Sequence, residues 1–308
     1  MDLTLAARDR TKLAATLFEP TASNGGAILI NSGTGIPRQF YAAFAGHLAS
    51  RGFTVLTYDY RGIGGSEKPA TATMEEWGGV DQASMIDHLA SFAPGTQRAV
   101  IGHSFGGQVL GLADNIGDLR AAVLICTQSG HWRHWPPGRR RLRMLALWWL
   151  LIPGLTAATG RFPGSWIGTA NLPSGIARSW ARWGRSPHYV CDPQGRPLRP
   201  HNHQVAFPVR WLSFTDDPIA PHGAVEALLP YYPKAAIERR HLSPADLGTE
   251  RVGHFGFFRK SMPRQPWDEI ADWLGDRLRQ TAPPSKLEET TACPHPTFSP
   301  KSKTASAG

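Results

Sequence analysis

The stretch VIGHSFGGQVLGL (100–112) places Ser104 between His103 and Phe105, with Gly102 and Gly106 two residues to either side. Those glycines could simply let two elements pack closely, or they could permit a sharp turn that lifts the Ser104 hydroxyl into the open. A strand pattern, RAVIGH (98–103), runs into the serine, and a helical pattern over about 104–115 follows it. At such a strand-to-helix turn Cβ atoms would collide with neighbouring elements, so glycine flanks favour the exposed nucleophile.

A serine hydroxyl is a weak nucleophile at its own pKa and needs a base, and the base needs a group to orient it. Among twelve histidines, His254 lies in the glycine-flanked loop RVGHFGFF, between the last expected strand and the last expected helix. For the acid, SFTDDPIAP directly follows a strand at 208–214. Asp217, just before Pro218, is the first choice and Asp216 the second; one of the two could instead cap the helix that follows. An oxyanion formed by attack needs backbone donors. The N–H of Phe105 supplies one, and the loop SGTG (32–35) supplies the other, from Thr34 with Gly33 and Gly35 as rivals. No Gly-Lys-Ser/Thr follows that loop, so it does not read as a phosphate cradle.

The elements that must position these groups are short apolar runs alternating with helical patterns. An opening hairpin is expected around Arg8–Asp9–Arg10, then strands at 27–31, 53–59, 98–103 and 120–126 and helices at 38–51, 75–93 and 104–115. The rhythm stops after Thr127 and resumes with strands at 208–214 and 235–242 and helices near 222–230 and 266–280. Apolar strands alternating with helices predict a mostly parallel sheet covered on both faces, an α/β fold. The expected layout is a core from 1–127 and 206–281, a lid or cap insertion at 128–205 without strands, and a disordered tail over 282–308, rich in Pro, Ser, Thr and Lys. An insertion at a strand's end lies over the carboxyl edge of the sheet, where open α/β sheets bind ligands.

Over roughly 25–127 and 206–280 the chain resembles the α/β-hydrolase superfamily, in its serine esterase, lipase and serine-aminopeptidase-like branch. The resemblance is carried by YDYRGIGGSE (58–67), GHSFGG (102–107), DDPIAP (216–221) and GHFGFF (253–258), in that order. It implies a nucleophile elbow at Ser104, an acid loop at Asp217 and a base at His254, with Arg61–Ser66 shaping a turn near the site. The order Ser, Asp, His is that of the superfamily. Serine at the elbow argues against its dehalogenase and epoxide-hydrolase chemistries, which use Asp there. One departure is Ser32–Gly33, where many members have His-Gly.

The insertion holds Trp132, Trp135, Trp148, Trp149, Trp166, Trp180 and Trp183, a cluster suited to an apolar acyl or aromatic pocket or to the lid's own core. RRRLRMLALWWLL (139–151) joins a basic run to an apolar one, as a membrane-surface helix does and as a lid helix with a solvated basic end does. Its apolar part is too short and too broken by Pro153 to read as a membrane span. HWRHW (131–135) offers two histidines without a third ligand, so no metal is called for, and no organic cofactor. The formal charge of +9 is read as a basic loop and tail on a neutral core rather than as a nucleic-acid footprint. Three cysteines far apart give no disulfide or zinc pattern, and the first residues have no apolar signal stretch, so a reducing cytoplasmic setting is expected. The expected activity is hydrolysis of an ester-like bond, carboxylic ester or thioester, in a small or medium apolar acyl substrate. Acyl transfer with the same groups and a non-catalytic binding role on the same fold are the alternatives.

Overall fold

The computed structural model describes residues 1–69 and 71–279; the tail expected from 282 onward lies outside them. The first two strands, β1 (Asp2–Ala6) and β2 (Lys12–Phe18), form the expected antiparallel hairpin, turned at Arg10 with a left-handed φ of 72°. Then come β3 (Gly26–Asn31), α1 (Ala42–Ser50), β4 (Thr54–Tyr58), α2 (Met74–Glu76), α3 (Gln82–Phe92), β5 (Gln97–His103), α4 (Phe105–Gln108) and β6 (Ala121–Ile125). After the insertion the chain re-enters with β9 (Pro208–Phe214), α8 (His222–Glu226), β10 (Ala236–Leu242) and α9 (Arg264–Arg279).

The eight-stranded sheet runs β1-β2-β4-β3-β5-β6-β9-β10, antiparallel only at the first two junctions and parallel from β4 to β10. Every residue of β3 and β6 is buried, as a parallel strand covered on both faces requires. The edge strand β10 reads AIERRHL and is largely exposed, and its charges discourage pairing with another chain. The carboxyl ends of β3, β5, β9 and β10 open into the loops that hold residues 32–35, Ser104, Asp217 and His254. All the sequence-predicted groups therefore share one edge.

Three expectations differ from the structure, the third, at Pro153, in the helix described below. The helix expected over 104–115 ends at Gln108 and gives way to 3₁₀ turns at Leu110–Leu112 and Ile116–Asp118. Glycines at 106, 107 and 111 weaken helix propensity there by about 1 kcal/mol each. The Gln82 amide also donates to the carbonyls of Val109 and Leu110 (3.4 and 3.1 Å), which an α-helix would have used internally. The segment expected to lack strands contains a two-residue antiparallel pair, β7 (Arg161–Phe162) with β8 (Leu172–Pro173), too short for alternation to show in sequence.

Between β6 and β9 the chain also forms α5 (Arg139–Ala146), α6 (Ile152–Thr159) and α7 (Ser174–Arg185). A π-helical turn, Leu147–Leu151, joins α5 to α6, so one helix runs from Arg139 to Thr159 without a break at Pro153. The wider turn, with the Ile152 N–H bonded to the Leu147 carbonyl, shifts the hydrogen-bond register just before the residue that has no N–H to give.

Candidate active site

Ser104 sits at the junction of β5 and α4 with φ 49° and ψ −112°, a conformation that L-residues occupy only when the surroundings hold them there. A Cβ at Gly102 would lie 2.6 Å from the Gly107 nitrogen, and one at Gly106 would collide with the Asn31 carbonyl. The glycines are therefore required by the turn and by its close approach to β3.

His254 spans the gap between the other two groups. Its Nδ1 lies 2.7 Å from Asp217 Oδ2 and its Nε2 lies 3.0 Å from Ser104 Oγ. A carboxylate only accepts, so Nδ1 carries the proton and Nε2 is left bare to accept the serine O–H. All three side chains are buried, with residue exposures of 5–7%. Burial alone would push the Asp217 carboxyl up. The hydrogen bond and charge of His254, with the N–H groups of Ala220 and Ile219 on Oδ1, outweigh it and hold the group below the usual carboxylate range.

The neighbouring carboxylate has a different task. Asp216 Oδ2 accepts the N–H groups of Val252 and Gly253 at 2.9 and 3.0 Å and so ties down the loop carrying His254. Neither acid caps α8.

His103, the chemical-looking neighbour of the serine, points away from it. Its Nε2 lies 2.9 Å from the His254 carbonyl, its Nδ1 lies 2.8 Å from the Tyr41 hydroxyl, and Tyr41 in turn accepts the Gly33 N–H at 2.9 Å. One proton arrangement satisfies all three contacts: His103 donates from Nε2 to the carbonyl, and Tyr41 donates to Nδ1. Complete burial, with His254 nearby, brings the His103 pKa down to about 3, so the ring is neutral as this arrangement needs. The chain of bonds links the loop after β3 to the loop of His254. It also occupies the Gly33 N–H, which removes one rival as oxyanion donor. The N–H groups of Thr34 and Phe105 have no acceptor among the described residues, and Thr34 lines the same pocket as Ser104.

That pocket, about 270 Å³, has Ser104 and His254 on its wall together with Ile36, Met144 and Leu147. Except for Trp149, which is exposed, the tryptophans divide between the two roles the sequence allowed. Trp135, Trp148, Trp166 and Trp180 line the pocket. Trp183 is buried in the fold, stacked near Phe105 with its N–H on Glu75 and the Cys191 carbonyl, while Trp132 and Trp149 meet edge to face away from the pocket. His131 and His134 of the HWRHW stretch bond to the Gly184 carbonyl and the Ser129 hydroxyl. Cys126, Asp217 and His254 have atoms within 4.8 Å of one another, but the Nδ1 of His254 is already committed to Asp217 and burial holds the Cys126 thiol protonated, a poor donor set for a metal. The Arg61–Ser66 segment is held by ion pairs from Arg61 to Asp81, Asp9 and Glu76, and by Ser66 bonded to the Asp59 carbonyl.

Sequence reasoning missed Tyr41, the latch made by Asp216 and the carbonyl-bound role of His103. Each depends on loops meeting across the sheet edge, and no local pattern announces such a meeting.

The alpha/beta hydrolase family matches the chain over residues 27–273, and the protein belongs to that family. No curated protein matches it. Among solved structures, a hypothetical protein from Pseudomonas aeruginosa is similar at a TM-score of 0.62 and 16% identity, over 90% of this chain and 93% of that one. The esterase EaEST from Exiguobacterium antarcticum aligns at 0.59 and 16% identity, over 89% and 99%. Est1E from Butyrivibrio proteoclasticus, solved with ferulic acid bound, aligns at 0.57 and 14%, over 89% and 96%. At these identities the likeness is one of fold.

Proposed function

We propose that the protein is a serine hydrolase that cleaves an ester-like bond of a small or medium apolar substrate through an acyl-enzyme. The observation that carries this reading is the buried line of hydrogen bonds from Asp217 through His254 to Ser104, ending at an apolar pocket. Family membership supports hydrolysis, and the esterases among its structural neighbours agree with an ester bond. In this mechanism His254 takes the Ser104 proton as the hydroxyl attacks the carbonyl, and Asp217 stabilises the imidazolium without accepting its proton. The N–H groups of Thr34 and Phe105 receive the oxyanion, each such donor typically worth about 3–4 kcal/mol in the transition state. His254 then protonates the leaving group, and water enters by the same route to release the acid.

The test is turnover of p-nitrophenyl esters of graded acyl length. The reading predicts hydrolysis of short and medium chains, with kcat/KM rising while added methylenes find the Trp-lined wall and falling once the pocket is full. No turnover of any of these esters, or of thioesters of the same acyl groups, would overturn it.

A further inference from the structure

The helix from Arg139 to Thr159 has two faces with different surroundings. Inward, Met144, Leu147 and Trp148 form part of the pocket wall, and Ile152 and Thr156 are buried. Outward, Leu142, Trp149, Leu150 and Leu151 are 63%, 44%, 69% and 36% exposed, and only 17% of the helix's most apolar 18-residue stretch is buried. Trp166, another residue of the pocket wall, is 59% exposed. A soluble surface rarely leaves several large apolar side chains together in water without a use for them.

The charge around this face is one-sided. Residues 128–205 contain eleven arginines, no lysine and a single acid, Asp192, a formal +10 against +9 for the whole chain. Arg182 and Arg196 pair with Glu75 and Asp192, but Arg139, Arg140 and Arg143, at the start of the helix, enter no ion pair among the described residues. Exposed leucine and tryptophan beside unpaired arginine fit an apolar layer beneath an anionic surface. Two other occupants fit less well. A second copy would bring two +10 segments together, and a nucleic acid would satisfy the arginines while leaving Leu142 and Leu150 in water. The helix is long enough to cross a bilayer, but its inner face is held against the rest of the fold at Trp148, Ile152 and Thr156, which fits a helix lying in the plane of one.

We propose that the outer face of this helix docks the protein on anionic lipid bilayers, with Leu142, Trp149, Leu150 and Leu151 entering the acyl boundary and Arg139, Arg140 and Arg143 meeting the headgroups. The same helix then separates lipid from the Ser104 pocket, and an apolar substrate dissolved in the bilayer reaches the pocket past Trp166. Docking itself is independent of the proposed ester chemistry; the delivery of substrate rests on it.

The experiment is flotation of the full chain with vesicles of phosphatidylcholine alone and of phosphatidylcholine mixed with phosphatidylglycerol. Co-flotation is expected with the anionic vesicles and to weaken with added salt. Arg139→Gln/Arg140→Gln/Arg143→Gln should bind roughly a hundred-fold more weakly, at about five-fold for each basic residue near the surface. Leu142→Ser/Leu150→Ser, which leaves the charge unchanged, should bind roughly ten-fold more weakly. Both leucines are exposed and neither lines the pocket, so this variant should keep the parental thermal midpoint. The proposal fails if the parent does not float with anionic vesicles, or if the leucine variant floats as the parent does. It also fails if that variant abolishes concentration-dependent self-association instead, which would assign the face to a second copy. None of these readouts uses catalysis, so a failed docking assay and a failed ester assay remain distinguishable.

Discussion

Adjacent aspartates with different partners give a sharp mutational contrast. In Asp217, Oδ1 accepts the N–H groups of Ile219 (2.8 Å) and Ala220 (3.0 Å), and Oδ2 faces His254 Nδ1 (2.7 Å). In Asp217→Asn the one remaining oxygen stays with the two N–H donors, because an amide NH₂ there would face them donor to donor. The NH₂ is then presented to Nδ1, which must give up its proton to accept. The imidazole is forced into the tautomer protonated at Nε2 and can no longer accept the Ser104 O–H. A wrong-tautomer triad of this kind loses about 10⁴ in kcat. Asp216→Asn runs the other way. Its oxygen keeps the Val252 and Gly253 N–H groups, and its NH₂ occupies the place of Oδ1, a buried atom with no hydrogen-bond partner. Two charge-assisted bonds become neutral ones, at a cost of about 1–2 kcal/mol in stability, and kcat should stay within about ten-fold of the parent. Measuring kcat on a short p-nitrophenyl ester together with the thermal midpoint of both variants decides the matter. Equal losses of kcat in the two variants, or a larger loss in Asp216→Asn, would refute the assignment.

Other consequences follow from the bonds around His103. Tyr41→Phe leaves the buried Gly33 N–H without an acceptor and His103 Nδ1 without a donor, and should lower the thermal midpoint by about 5–15 °C while the protein still folds. The native His103 titrates at about 3 against an ordinary value of 6.5, so between those values the unfolded chain binds a proton that the native state excludes. Stability present above pH ~6.5 should therefore be lost on acidification through that window, at about 1.4 kcal/mol per pH unit from this group. In His103→Asn the pH dependence of stability, followed by urea unfolding, should be shallower by that amount although the variant is less stable at pH 8.

The sheet and the positions of Ser104 and His254 were legible because their signals are local. Four-to-seven-residue apolar runs mark buried parallel strands, and glycines at 102, 106 and 253 mark turns at strand ends. What was not legible depends on partners distant in the chain. Asp216 and Asp217 share one sequence setting and differ only in which donors the fold brings to each. The helix after Ser104 is shorter than its sequence pattern suggests because periodicity does not reveal that the Gln82 amide, some 27 residues earlier, takes the carbonyls of Val109 and Leu110. Pro153 does not break the helix, because a π-helical turn absorbs the missing N–H, and such a turn has no sequence signature. Tryptophan content does not separate pocket from core over residues 128–205, and the fold uses these rings for both, with Trp149 left exposed.

The proposed chemistry requires Ser104 to act as a nucleophile activated by His254. Treatment with a fluorophosphonate probe followed by intact-mass and peptide analysis tests this directly. The expected result is a single adduct on Ser104, absent in Ser104→Ala and strongly slowed in His254→Ala, with Ser104→Ala losing about 10⁴–10⁶ in kcat. Full labelling of Ser104→Ala, or parental ester turnover by that variant, would contradict it.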